Sequence, residues 1–254
     1  MASWRKSTQK QYKGYIERWL KFSYDNHFDP SFPQICEVIE FLFTLFKSGL
    51  GYSCLNTAWS AISPVLSLQS GTPVGTHPLV VRFMKGVFEK RPSLPRYSST
   101  WDVNIVLTYL KSLPANVDIS LKELTHKLTS FLVILSGQRQ QTIRLLDIKH
   151  ISEQDHKVIF HVDELVKQSK PGQHVDDMEF IAYTPDPKLC VVACTKEYIK
   201  RTSSIRGQET QLLLSWMKPH SSISPDTLSR WIVLCNVGVD MILFKPHSAR
   251  SAST

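Results

Sequence analysis

The chain contains no uninterrupted apolar run of about eighteen residues, the length a membrane-crossing helix needs. Its opening, Met1-Ala2-Ser3-Trp4-Arg5-Lys6, leads into polar sequence without the apolar stretch of a secretory leader, so a protein that is not secreted is expected. Cysteine is scarce and odd in number, at Cys36, Cys54, Cys190, Cys194 and Cys235, with no Cys-x-x-Cys pair. That argues against a disulfide framework and for reduced thiols in a cytosolic or nuclear setting. Cys190 and Cys194 sit four apart on an expected helix, and no His/Cys pair with ligand spacing matches them, so they read as small buried side chains rather than half a zinc site. Gly-x-x-x-x-Gly-Lys-Ser/Thr, Gly-x-Gly-x-x-Gly and His-Glu-x-x-His are all absent, which removes the common nucleotide and metalloprotease signatures. Glu123, Asp163 and Glu164 form no pair with glycosidase logic. No internal repeat, low-complexity tract or run of five basic residues occurs, and no cofactor or metal is implied.

What is present is an ordinary globular composition, 42% hydrophobic and 20% charged over 254 residues, enough for one large domain or two modest ones. Thirty Lys+Arg against 22 Asp+Glu give +8, a balance that suits a polyanionic partner. Residues 1–95 hold 11 basic and 6 acidic residues, and residues 96–254 hold 19 and 16, so the shorter segment is the more charged. The boundary is placed in Arg-Pro-Ser-Leu-Pro-Arg-Tyr-Ser-Ser-Thr (91–100), where two prolines and a Ser/Thr cluster oppose regular structure. The expected domains are 1–95 and 96–254.

The first segment reads as four amphipathic helices. Tyr12, Tyr15, Ile16, Trp19 and Leu20 follow helical spacing, with Ser7 the expected N-cap. Ile35, Val38, Ile39, Leu42, Leu45 and Phe46 form a second stripe between Pro33 and Gly49. A third helix is expected over 52–67, bent or ended by Pro64. A fourth begins near Pro78 and carries Arg82 and Lys85, followed by Lys90 and Arg91. The second segment is mixed. Leu121, Leu124, Leu128, Phe131, Leu132 and Leu135 predict a strongly periodic helix ended by Ser136-Gly137. Val158/Phe160/Val162 and Met178/Phe180/Ala182 alternate, and the turn cluster Ser169-Lys170-Pro171-Gly172-Gln173 between them predicts a β-hairpin with Lys170 near its tip. Helices are expected at about 190–203 and 225–237, and a last one starting at Pro246.

Three local patterns could carry chemistry. In Leu135-Ser136-Gly137-Gln138-Arg139, Arg139 follows a helix break and opens a new helix, where an arginine can face an anion. Lys170 at a hairpin tip can reach into a groove. In His247-Ser-Ala-Arg250, helical i, i+3 spacing lets an imidazole and a guanidinium converge on one phosphate. Each alone has an ordinary reading: a surface arginine, a solvated turn lysine, a capping histidine beside a surface arginine.

Together, in the order Arg…Lys…His-x-x-Arg, they resemble the tyrosine recombinase/phage integrase family. The Gly-Gln-Arg box with its following Leu-Leu-Asp-Ile is similar to that family's first box, Ser-Lys-x-Gly to its lysine hairpin, and Phe-Lys-Pro-His-Ser-Ala-Arg (244–250) to its second box. The helical segment is similar to the family's core-binding domain. Tyr-Ser-Cys-Leu-Asn-Thr-Ala-Trp-Ser-Ala-Ile-Ser (52–63) and His-Pro-Leu-Val-Val-Arg-Phe-Met-Lys-Gly (77–86) resemble the version in eukaryotic mobile elements of the Crypton and DIRS-like type. The resemblance implies a mainly α fold with a small antiparallel β-sheet, in which a helical core-binding bundle precedes a catalytic domain. It implies DNA breakage and rejoining through a phosphotyrosine intermediate, as in recombination and integration. Arg139 and Arg250 would hold the non-bridging oxygens of the scissile phosphate, Lys170 would protonate the departing 5′ oxygen, and His247 would hydrogen-bond the same phosphate. Arg82, Lys85, Lys90, Arg91, Lys218 and His220 are the candidate further DNA contacts. The implied partner is double-stranded DNA, bound as a homo-oligomer in the nucleus, without membrane or small-molecule cofactor.

The sequence departs from the family in one respect. A His or Trp and then the nucleophilic tyrosine should follow the second box, yet the chain stops at Thr254 and all eight tyrosines precede that box. The last, Tyr198, reads as a packing residue on a helix. The expectation is a C-terminally incomplete catalytic domain, with no nucleophile, that does not cleave. The alternatives are a non-catalytic DNA-binding protein derived from a mobile element and a basic protein-interaction module.

Overall fold

The computed structural model describes residues 4–66, 73–94, 101–162, 169 and 176–232. The chain divides into two compact units, Met1–Arg96 and Tyr97–Thr254.

The first unit is a bundle of four helices: α1 (Lys6–Asp25), α2 (Ile35–Lys47), α3 (Tyr52–Ile62) and α4 (Pro78–Lys90). Trp19 of α1 is its hub, 1% exposed and in ring contact with Phe22, Phe28 and Phe41 at 5.2–6.3 Å. Its Nε1–H donates to the Pro30 carbonyl at 3.0 Å, so the one polar atom of the indole is satisfied. Leu20, expected on the same stripe, is instead 49% exposed, because the buried side of α1 is centred on Trp19 and Ser23. The helix begins at Lys6 with Arg5 at the cap position, so Ser7 lies inside the first turn. The Gln34 backbone N–H donates to Glu37 at the start of α2, and Gly49 at φ 95° follows its end, where only glycine adopts that conformation without strain. Val38, Phe41, Leu42 and Leu45 are buried, which is the expected stripe of α2 shifted inward. Helix α3 contributes the small residues Ala58 and Ala61 with Leu55 and Ile62, then gives way at Ser63–Val65 to a single tighter turn containing Pro64. Helix α4 starts at Pro78, where the missing N–H costs nothing, and buries Val80, Met84 and Val87.

The second unit contains α5 (Val103–Ser112), α6 (Leu121–Ser136), α7 (Gln140–Arg144), strands β1 (Ile151–Glu153), β2 (Lys157–Phe160) and β3 (Met178–Ile181), then α8 (Val191–Thr202) and α9 (Pro225–Trp231). Helix α6 is its axis. A Ser120/Glu123 capping box starts it, nine of its residues are buried, and it packs along α8. Leu135, expected in its core stripe, is 55% exposed at the last turn. The sheet is antiparallel in the order β1-β2-β3, with Val158 opposite Phe180 and Phe160 opposite Met178. These four side chains are buried on one face, as their alternation required. The fold is therefore mainly α with a small antiparallel sheet. Residues 233–254, which include the end of the helix expected at 225–237 and the helix expected at Pro246, lie outside the described residues.

Cys190, which caps α8, and Cys194 within it are both free and buried, as the sequence indicated. Burial pushes the Cys194 thiol up to about 12. No helix among the described residues is long and apolar enough to cross a membrane.

Candidate nucleic-acid interface

The corner between α6 and α7 presents Arg139. Gly137 ends α6 in the left-handed region at φ 57°, ψ 10°, and the Gln138 N–H donates to Ser136 Oγ at 3.2 Å. Arg139 is then extended, at φ −70° and ψ 146°, and its carbonyl accepts from the N–H groups of Thr142 and Ile143. The backbone is thus fixed by helix start and helix end, while Thr142 (1% exposed) and Ile143 (0%) anchor α7 in the core. The Arg139 side chain is exposed, and its guanidinium has no hydrogen bond or ion pair among the described residues. An unengaged guanidinium at a helix start is disposed to receive an anion.

A contact that the sequence did not signal holds this corner. Ser229 Oγ of α9 donates to Gln140 Oε1 at 2.7 Å, joining residues 89 apart in the chain. Gln138 Oε1, Gln140 Nε2 and Arg144 Nε are buried without hydrogen-bond partners, so the surroundings of Arg139 hold unused polar capacity. Of the four residues expected to share a phosphate, only Arg139 is described; Lys170, His247 and Arg250 lie outside the described residues. Lys170 falls in the chain between β2 and β3, the paired strands of the expected hairpin.

The segment bearing Lys218 and His220 is fastened to α6 through an aromatic cluster. Trp216 stacks on Trp231 at 4.3 Å and meets His126 edge-on at 4.9 Å. Burial, reinforced by the nearby Lys122 ammonium, holds His126 below the usual imidazole range. Lys218 is exposed. The half-buried His220 adopts φ 59°, and its Nδ1 lies 3.0 Å from the Ser215 carbonyl, so that nitrogen carries the proton.

On α4 of the first unit, Arg82, Lys85 and Lys90 are exposed. Arg91 is engaged within the first unit. Its guanidinium donates to the carbonyls of Phe46 (2.6 Å) and Leu50 (3.2 Å) and lies 4.0 Å from the Phe46 ring centroid. It closes the C-terminal end of α2, where carbonyls lack helical partners.

Tyr198 is 1% exposed, and its hydroxyl oxygen accepts from the Leu214 N–H at 3.0 Å. Burial raises its pKa above the usual phenol range. It is a packing residue, as expected. Among the described residues no group of three or more His, Cys, Asp or Glu is placed to hold a metal ion.

No family model matches the sequence, and no curated protein matches it either. Solved structures do match. A lambda integrase (75–356) dimer bound to a COC′ core site aligns over 99% of this chain and 82% of its own, at 15% identity and TM-score 0.51. The Tn1549 transposon integrase in complex with transposon right end DNA aligns over 87% of this chain and 71% of its own, at 12% identity and TM-score 0.54. The XerH site-specific recombinase bound to palindromic difH substrate aligns over 87% and 60%, at 13% identity and TM-score 0.51. At such identities what is shared is the fold: a mainly helical chain with a small three-stranded antiparallel sheet, as in the catalytic domains of tyrosine recombinases.

Proposed function

We propose that this chain is a DNA-binding protein of the tyrosine recombinase type, acting in DNA recombination or integration and descended from a eukaryotic mobile element of the Crypton/DIRS-like kind. The reading is supported by one observation above the rest. The Arg139 guanidinium, without a hydrogen bond or ion pair among the described residues, stands at the helix-break corner of a fold that DNA-bound integrases share. In this reading Arg139 and Arg250 grip one phosphodiester, with Lys170 and His247 beside it. Lys85, Arg82, Lys90, Lys218 and His220 supply contacts to the flanking backbone. The protein works on nuclear DNA as a homo-oligomer. In this reading the chain binds DNA without cleaving it by itself, and Tyr198, buried and hydrogen-bonded in the core, is a packing residue and not a nucleophile.

The test is duplex binding by the full chain across a salt series. With about five phosphates engaged, log K should fall against log salt with a slope of roughly −4 to −5. Arg139→Ala should weaken a nicked or vanadate-bridged duplex more than an intact one, and a suicide substrate should yield no covalent adduct. Absence of binding at low salt overturns the DNA reading. Equal losses on both duplexes overturn the shared phosphate site, and an adduct overturns the claim that the chain does not cleave.

A further inference from the structure

Leu79, Phe83, Gly86 and Lys90 lie three or four apart along α4 and so form one stripe. They face Ile39, Phe43 and Phe46 of α2 across a groove of about 460 Å³. Phe43 is 41% exposed and Leu79 51%, so these large apolar side chains are turned to solvent while Val80, Met84 and Val87 fill the bundle. Gly86 is the residue out of place. A glycine inside a helix is unfavourable relative to alanine. No atom lies within 4 Å of where its Cβ would stand, so the packing of the unit does not require it. The missing side chain instead opens the groove partway along its length. From Leu79 to Lys90 the trough covers about three helical turns, roughly 16 Å. Arg82 and Lys90 line it, no carboxylate among the described residues does, and Lys47 Nζ sits 4.7 Å from the Phe43 ring centroid as a further cation at the rim.

We propose that the groove between α2 and α4 docks an amphipathic α-helix of a partner protein, its apolar stripe seated over Gly86 and its acidic flanks against Lys47, Arg82 and Lys90. Apolar walls suit a helix with anchors at i, i+4 and i+7, whereas a phosphate backbone gains nothing from exposed Phe43 and Leu79. The cationic rim selects the sign of the partner's flanks. The proposal goes beyond the DNA reading and competes with it for Arg82 and Lys90. The deciding variant is therefore Gly86→Leu, which fills the groove without altering charge.

The probes are two fluorescein-labelled, stapled helical peptides of about fourteen residues, sharing leucines at i, i+4 and i+7 and carrying either glutamate or lysine on the flanks. Fluorescence anisotropy with the full chain should show the glutamate peptide binding at least about tenfold more tightly. Gly86→Leu should cut that binding by about tenfold or more, with the melting temperature unchanged or raised and duplex affinity unchanged. Gly86→Ala should give the same ordering with a smaller loss, and Arg82→Glu with Lys90→Glu should reverse the preference. Equal binding of the two peptides, or no loss in Gly86→Leu, overturns the proposal. So does a fall in duplex affinity matching the fall in peptide affinity, which would make the groove a DNA contact. Sedimentation that shows a dimer abolished by Gly86→Leu also overturns it, by assigning the groove to a second copy of this chain.

Discussion

Lys127→Met is expected to stabilise the protein by about 1–3 kcal/mol at neutral pH, the cost of leaving a buried polar group unpaired. Lys127 lies on α6 with 0% exposure, and its Nζ has no hydrogen-bond partner. Burial lowers its pKa from the usual 10.5, with the neighbouring Lys188 ammonium adding to the shift and Cys194 and Asp186 opposing it. The sign of the pH dependence follows. The folded state binds the ammonium proton less tightly than the unfolded chain, which holds it up to about pH 10.5. Stability from this residue is therefore fully present above that pH and is lost as pH falls towards the lowered folded value. Methionine has nothing to protonate and keeps nearly the same volume. Urea unfolding at pH 7 and pH 10 should thus show a large advantage for the variant at the lower pH and a smaller one at the higher. An advantage that does not change with pH would mean that the fold does not lower the Lys127 pKa.

Trp19→Ala should destabilise by about 3–5 kcal/mol, the range for emptying a large buried aromatic site. Three phenylalanine rings, Phe22, Phe28 and Phe41, converge on that indole from α1, the following loop and α2, and Pro30 loses its N–H donor with it. Three separate parts of the chain meet there, so local collapse cannot refill the space. The loss amounts to a large fraction of the total stability of an ordinary domain. Denaturant unfolding monitored by circular dichroism measures it. A cost below about 1 kcal/mol would show that the cluster rearranges around the vacancy.

Helices α1, α2, α4 and α6 and the β2–β3 pair were legible because each repeats its apolar residues over at least two periods beside a recognisable boundary such as Pro78, Gly49 or Gly137. Helix α5 was not, since its buried stripe is only Val106 and Leu110 and its remaining Val and Ile residues suit a strand equally well. Strand β1 was hidden for a related reason: three residues carry no period, and only their pairing with β2 defines them. Lys127 left a trace that residue type concealed. It stands three after Leu124 and four before Phe131, on the buried stripe, yet lysine is ordinarily solvated.

In the candidate site, Arg139 was legible from Gly-Gln-Arg because a glycine helix end followed by a new helix leaves few places for the next side chain. The Ser229–Gln140 bond was not, because nothing local links residues so far apart. That Arg91 closes the end of α2 was not legible either, for a physical reason. A sequence shows that a cation exists, not whether backbone carbonyls already claim it, and the same is true of Arg201 on the Ile119 carbonyl and Arg206 on the Gln211 carbonyl.

The thiol of Cys194 leads in another direction. It is wholly enclosed between α8 and α6 and holds its proton up to about pH 12, so an alkylating reagent finds no thiolate and no path until those two helices part. Cys36, on the outside of the other unit, is open to the same reagent from the start. Cys36 and Cys194 thus act as two chemical clocks, one running from the first second and one that starts only when the helices separate.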